Sequence, residues 1–249
     1  MLRFLPARYT ESRDWLETPR ARLFLQYEQR LLRELLPRLT GYRCVQVGRW
    51  GIDRALLDHA GTLRQWRLAW SAGPDADAVF DGRHLPLASG SVDALVLAHS
   101  LEQVAAPHAL LRECARVLSA RGQLIVLVFN PWSLWALWQG MPGRRTPRFT
   151  PCAPPPSAGR LFDWLRLLEF EPDLLWRYGL GFPLFGGRYA VGSGKRWLEP
   201  LACAAQAYAV LARRQVVSRN REHGRTARSR AAAPAALART GTGGLPYRR

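Results

Sequence analysis

Two continuous apolar runs constrain this chain more than any other feature. Ser91-Val92-Asp93-Ala94-Leu95-Val96-Leu97-Ala98 carries one acid near its start and is apolar to its end, and Gln123-Leu124-Ile125-Val126-Leu127-Val128-Phe129 is equally apolar. Between them, Pro107 opens a stretch in which Leu110, Leu111, Cys114, Ala115 and Leu118 fall on one face at helical spacing, and Arg121-Gly122 reads as the turn into the second run. A strand that is apolar on both faces needs cover on both. Two such strands joined by a helix imply a mostly parallel, doubly wound sheet with helices on either side.

The remaining segments fit that frame. Thr18-Pro19 reads as an N-cap followed by proline at the first helical position, and Leu23, Phe24, Tyr27, Leu31 and Leu35 give the helix an apolar face to about Leu36. Pro37 and Gly41 end it, and no chemistry is expected of it. Cys44-Val45-Gln46-Val47-Gly48 reads as a first strand, 53–59 as a short helix, Trp66–Trp70 as a second strand and Ala78-Val79-Phe80 as a third, closed by Asp81-Gly82. Farther on, 130–139 is rich in tryptophan and 142–156 in proline and arginine. Ser157 then caps a helix with Leu161, Phe162, Leu165 and Leu168 on one side. Leu174–Tyr178 and Ala207–Leu211 read as the last strands, with a helix from Lys195 to Ala205 between them. The organisation expected is a helical cap over 1–40, an α/β domain over 41–217, and an aperiodic, disordered Arg/Ala-rich tail over 218–249.

Composition narrows the function classes. With 249 residues and 48% apolar content the chain can bury one good core, and 10% aromatic residues exclude disorder of the whole. No run approaches the roughly 18–20 apolar residues of a membrane span, and the first residues lack an apolar stretch of signal-peptide length, so a cytoplasmic protein is the expectation. Cys44, Cys114, Cys152 and Cys203 are scattered, with no metal-ligand spacing, which argues against zinc and against a disulfide framework. The net charge of +17 raises the question of nucleic acid. Eight arginines against one acid lie from Ser218 onward, however, and Lys195 is the only lysine, a bias that fits a GC-rich coding sequence. Contact with nucleic acid or another anionic surface is therefore expected only through the tail.

The stretch from Asp81-Gly82-Arg83-His84-Leu85-Pro86-Leu87 through Gly90-Ser91-Val92-Asp93 to Leu97 resembles the type-11 methyltransferase family of class I S-adenosylmethionine-dependent enzymes. The likeness continues through His99-Ser100-Leu101-Glu102-Gln103-Val104, Leu111-Arg112-Glu113 and Arg116-Val117-Leu118 to Arg121-Gly122-Gln123-Leu124, about fifty consecutive residues in order. Phe129-Asn130-Pro131-Trp132, Asp163-Trp164-Leu165 and Tyr208-Ala209-Val210-Leu211 are similar to a poorly characterised group of bacterial methyltransferase-like proteins. The resemblance implies a seven-stranded, Rossmann-like sheet, S-adenosylmethionine as cofactor, and methyl transfer to an acceptor, small or apolar, that the sequence does not identify.

Ligands of such sheets bind at the carboxyl ends of the strands, near the topological switch point. Gly48, Trp50, Gly51, Asp81, Gly82 and His99 would line that crevice. A glycine at 48 lets backbone approach a nucleoside, and by the resemblance Asp81 accepts a hydrogen bond from an adenine amino group. His99 is the candidate base, against the alternative of a loop histidine with no titrating role. His84 is expected in solvent, and Glu102 either orients a substrate group or serves as a cap or surface residue. The family's first loop departs here: Gln46 stands where an acid is usual and Trp50 where the second glycine is usual. Ser71 falls near the place of the ribose-binding acid, with Asp75 and Asp77 beyond it. An indole at 50 would fill the space for the methionine part of the cofactor, so a catalytically inactive binding or regulatory module is the rival reading, and an RNA-binding protein acting through the tail is the third. Trp132, Trp135 and Trp138 at spacing three would share a helix side, as core, pocket wall or membrane-interface contact.

Overall fold

The computed structural model describes residues 16–50, 56–57, 60–73, 76–133, 136, 151–178, 187–190 and 205–215. The expected helices over 53–59 and Lys195–Ala205, Gly51, Asp75, Trp135, Trp138 and the tail lie wholly or mostly outside them.

The apolar runs form the centre of a sheet. Strands β1 (Arg43–Val47), β2 (Arg64–Ala69), β3 (Ala78–Val79), β4 (Val92–Ala98) and β5 (Leu118–Phe129) are followed by β6 (Phe170–Tyr178), β7 (Gly187–Ala190) and β8 (Ala207–Arg214). Their order in space is β3-β2-β1-β4-β5-β8-β6-β7. The first five pair in parallel, and β8 runs antiparallel to both β5 and β6. The sheet thus has eight described strands; the additional one, β7, pairs antiparallel with β6 at the edge.

Alternation along the central strands supplies both covered faces. Val45, Val47, Leu95, Leu97, Leu124 and Val126 pack on one side with helix α2 (Pro107–Val117) and helix α3 (Ala158–Leu167). Cys44, Ala94, Val96, Ile125 and Leu127 pack on the other with helix α1 (Pro19–Leu35). Thr18 caps α1 by accepting from the Ala21 amide, and Ser157 caps α3 by accepting from the Arg160 amide, as the sequence suggests.

Several expectations need correction. The buried face of α1 is Ala21, Phe24, Leu25, Glu28, Leu32 and Leu35, whereas Leu23 and Tyr27 are exposed. The apolar pattern was rotated because a carboxylate sits on the inward stripe. Arg121-Gly122 is not a turn before β5 but an irregularity within it: Val92 pairs with Leu118 and Ala94 with Gln123, so the residues between bulge out of register.

The stretch of family likeness has a mechanical reading. Arg116 donates to the carbonyls of Leu85 and Leu87 and to Ser89, while Glu113 accepts from the Leu85 amide and pairs with Arg116. Two side chains of α2 therefore brace the Leu-Pro-Leu loop between β3 and β4. Asp93, at the start of β4, accepts from the amides of Tyr42 and Arg43 and ties down the start of β1.

Candidate active site

The switch point lies where β1 separates β2 from β4, and the carboxyl ends of these strands bring Gly48, Trp70, Asp81-Gly82 and His99 to one side of the sheet. Gly48 has φ +92 and its amide donates to the Leu68 carbonyl, so the chain turns sharply out of β1. Gly82, at φ +80, does the same after β3.

At the β4 end the structure builds a buried polar cluster. His99 is fully buried and holds a left-handed backbone, φ +52, unusual for a residue with a side chain. Its Nε2 lies 2.6 Å from Glu28 Oε1 and its Nδ1 3.2 Å from Glu102 Oε1. Glu28 also accepts from the Tyr178 hydroxyl (2.7 Å) and from the Trp50 indole N–H. Glu102 accepts from the Phe129 amide (2.7 Å). Aromatic rings wall the imidazole, with centroids at 4.1 Å for Phe129 and 4.2 Å for Trp50. Glu102 is thus a buried partner of His99 and not a surface residue. Burial by itself would lower the imidazole's affinity for a proton. The carboxylates of Glu28 and Glu102, with their hydrogen bonds, outweigh it and raise the pKa to about 9. At neutral pH His99 is an imidazolium held between two acids, a cation in place and not a free base.

A pH dependence follows. Since the folded pKa lies above the ordinary value near 6.5, the pairing of His99 contributes its full stabilisation below that value and loses it as pH rises through about 9. In ¹⁵N-edited spectra the His99 ring should keep its imidazolium signature up to about pH 8. A midpoint near 6.5 would contradict the arrangement.

At the β1, β2 and β3 ends the crevice is occupied by the chain's own side chain. A β-carbon placed on Gly48 would lie 2.5 Å from ring atoms of Trp70 and 2.8 Å from Ser100 Oγ. One placed on Gly82 would lie 3.2 Å from Trp70 Nε1. The indole therefore lies across both glycines, its ring centroid 5.2 Å from that of Phe80. Beside it, Arg49 is laid on Gly73: a β-carbon there would meet its guanidinium at 2.7 Å.

Asp81 stays at the surface. Its Oδ1 accepts from the amides of Arg83 and His84, 2.8 Å each, and these hydrogen bonds lower its pKa. His84 is exposed, as expected. Asp77 accepts from the Arg67 amide of β2 (2.8 Å). Gln46 is buried and donates to the Gly48 carbonyl (3.0 Å), bracing the loop where the family has an acid. Beyond β5, a separate open cavity of about 160 Å³ is lined by Asn130, Trp132, Ser157, Arg177 and Tyr208. Trp132 is 68% exposed there. No group of His, Cys, Asp and Glu suited to a metal occurs among the described residues.

Sequence reasoning missed Glu28, Tyr178 and Trp70. For Glu28 a signal existed: it is an acid four residues after Phe24 and four before Leu32, inside the apolar stripe. Trp70 read only as a strand end.

A methyltransferase-domain profile matches residues 58–126, which carry β2, β3, β4 and most of β5. That segment is similar to a methyltransferase domain. Two solved methyltransferases show the same fold, each at 16% identity. The protein from Archaeoglobus fulgidus superposes with TM-score 0.56 over 84% of this chain and all of its own. The possible histamine N-methyltransferase from Thermotoga maritima gives 0.51, with 81% and 98% covered. The uncharacterized protein YafS of Escherichia coli is 30% identical over 163 residues, covering 63% of this chain. The chain spans 64% of that relative's length. No helix among the described residues is long and apolar enough to cross a membrane.

S-adenosylmethionine is the cofactor that the methyltransferase-domain match implies. As arranged here, the methyltransferase crevice does not fit it. The cradle over Gly48 and Gly82 is filled by the Trp70 indole, while Trp50 is buried against His99 in the apolar layer that packs with α1.

Proposed function

We propose that the chain is an S-adenosylmethionine-dependent methyltransferase. The observation that supports this reading is the placement of the domain match: residues 58–126 supply Trp70 after β2, Asp81-Gly82 after β3 and His99 after β4, three of the strand ends that border the crevice. When bound, the cofactor supplies an activated methyl group, so the protein's own task is to orient an acceptor and exclude water. A small, partly apolar acceptor is the class favoured by the cavity lined by Asn130, Trp132 and Tyr208. His99, held as a cation, fits a positioning role better than that of a base. Among the cofactor contacts, Gly48, Gly51, Gly82 and Asp81 remain the proposed set, with Asp81 the adenine partner.

Calorimetric titration with S-adenosylmethionine and S-adenosylhomocysteine tests this. Saturable binding, weakened at least tenfold in Asp81→Ala, supports the reading. No heat at millimolar ligand, for the wild type and for a variant with the crevice cleared, removes it. That second result would favour an inactive methyltransferase-fold module, the reading which the buried Trp50 speaks for.

A further inference from the structure

The crevice and the cofactor disagree over one side chain, and the disagreement is specific. The geometry points to Trp70 as an internal occupant of the nucleoside seat, which the cofactor must displace to bind. This rests on the methyltransferase reading above.

Four observations carry it. Trp70 directly follows β2, where a strand end meets the crevice. Its indole spans from Gly48 to Gly82, the two positive-φ glycines that frame the route from the β1 loop to Asp81. Indole and adenine are flat bicycles of similar size, so two objects of one shape compete for one slot. The close approach that a glycine at 48 permits is used here by the ring itself, with contacts that leave no room for a second layer.

The indole is also incompletely accommodated. Its Nε1 is buried without a hydrogen-bond partner, although Trp70 is only 8% exposed. A buried N–H left unpaired is a standing penalty, relieved as soon as the ring turns out to water. Apolar contact with Phe80 and Val104 holds the ring in, and the unpaired donor works against them. Trp50 differs: its N–H is paired with Glu28, and its ring is locked among His99 and Phe129. Trp70 is thus the ring of the two that is built to leave.

In the ring-out state the glycine cradle opens while β1, β4 and the Glu28 cluster stay as they are. Cofactor affinity is then the intrinsic affinity reduced by the population of the open state.

The test is calorimetric titration of the full chain with S-adenosylmethionine for wild type, Trp70→Ala and Trp70→Phe. The expected order of affinity is Trp70→Ala, then Trp70→Phe, then wild type, with at least a tenfold gain from wild type to alanine. Trp70→Phe keeps an aromatic ring against Phe80 and serves if the alanine variant does not fold. Equal affinities across the series overturn the proposal and leave the methyltransferase reading standing. Absence of binding in all three overturns both.

Discussion

Replacing Glu28 by alanine is expected to cost about 3–5 kcal/mol of stability, the range for leaving one member of a buried ion pair without its partner. The variant removes the acceptor for three donors on three separate elements: His99 Nε2, the Tyr178 hydroxyl and the Trp50 indole. All of these residues are nearly or fully buried, so little water can replace the lost oxygen atoms. Urea unfolding at pH 7 measures the loss directly. Glu28→Gln keeps an acceptor and should lose clearly less. If both variants unfold with the wild-type midpoint, the carboxylate does not hold the crevice together.

Gly48→Ala is the second large effect, with an expected destabilisation of about 2–5 kcal/mol. The φ of +92 strains any side chain, and the new methyl group meets the Trp70 ring at 2.5 Å. These two causes separate in a double-mutant cycle. Adding Trp70→Ala should recover the steric part, a coupling of roughly 1–2 kcal/mol, while the backbone part persists. Strict additivity would mean that the ring does not press on Gly48.

The pattern of the sheet was legible because strands apolar on both faces leave few alternatives, and the segment from Asp81 to Leu124 carries its bracing residues at fixed spacing. The sheet edge was not legible: Gly187–Ala190 is short and lacks an apolar run, and its place follows from pairing with β6. The crevice was half legible. Gly48, Asp81, Gly82 and His99 lie at strand ends, as a doubly wound sheet requires. Of the two acids on His99, Glu28 was hidden because it is 71 residues away, and Tyr178, which donates to the same carboxylate, lies 150 residues from it. Local periodicity treats a charged residue as solvent-facing; only the packed sheet shows it turned inward. The tenancy of Trp70 was hidden for a related reason, since nothing in a strand's sequence tells which way the residue after its end will fold back.

The order of the strands also bears on how the chain comes off the ribosome. β8 is inserted between β5 and β6, pairing with Phe129 on one side and Tyr178 on the other through Ala207. A nascent chain that has already emitted β5 and β6 therefore holds two unpaired edges until Ala207–Arg214 emerges. Glu28, made early, waits for Tyr178, 150 residues later, before the last of its three donors is in place. Contacts of such long range form slowly and late. Synthesis thus passes through a stage with exposed strand edges and an inward-facing acid that still lacks one of its three donors, the kind of intermediate that holdase chaperones are suited to shield.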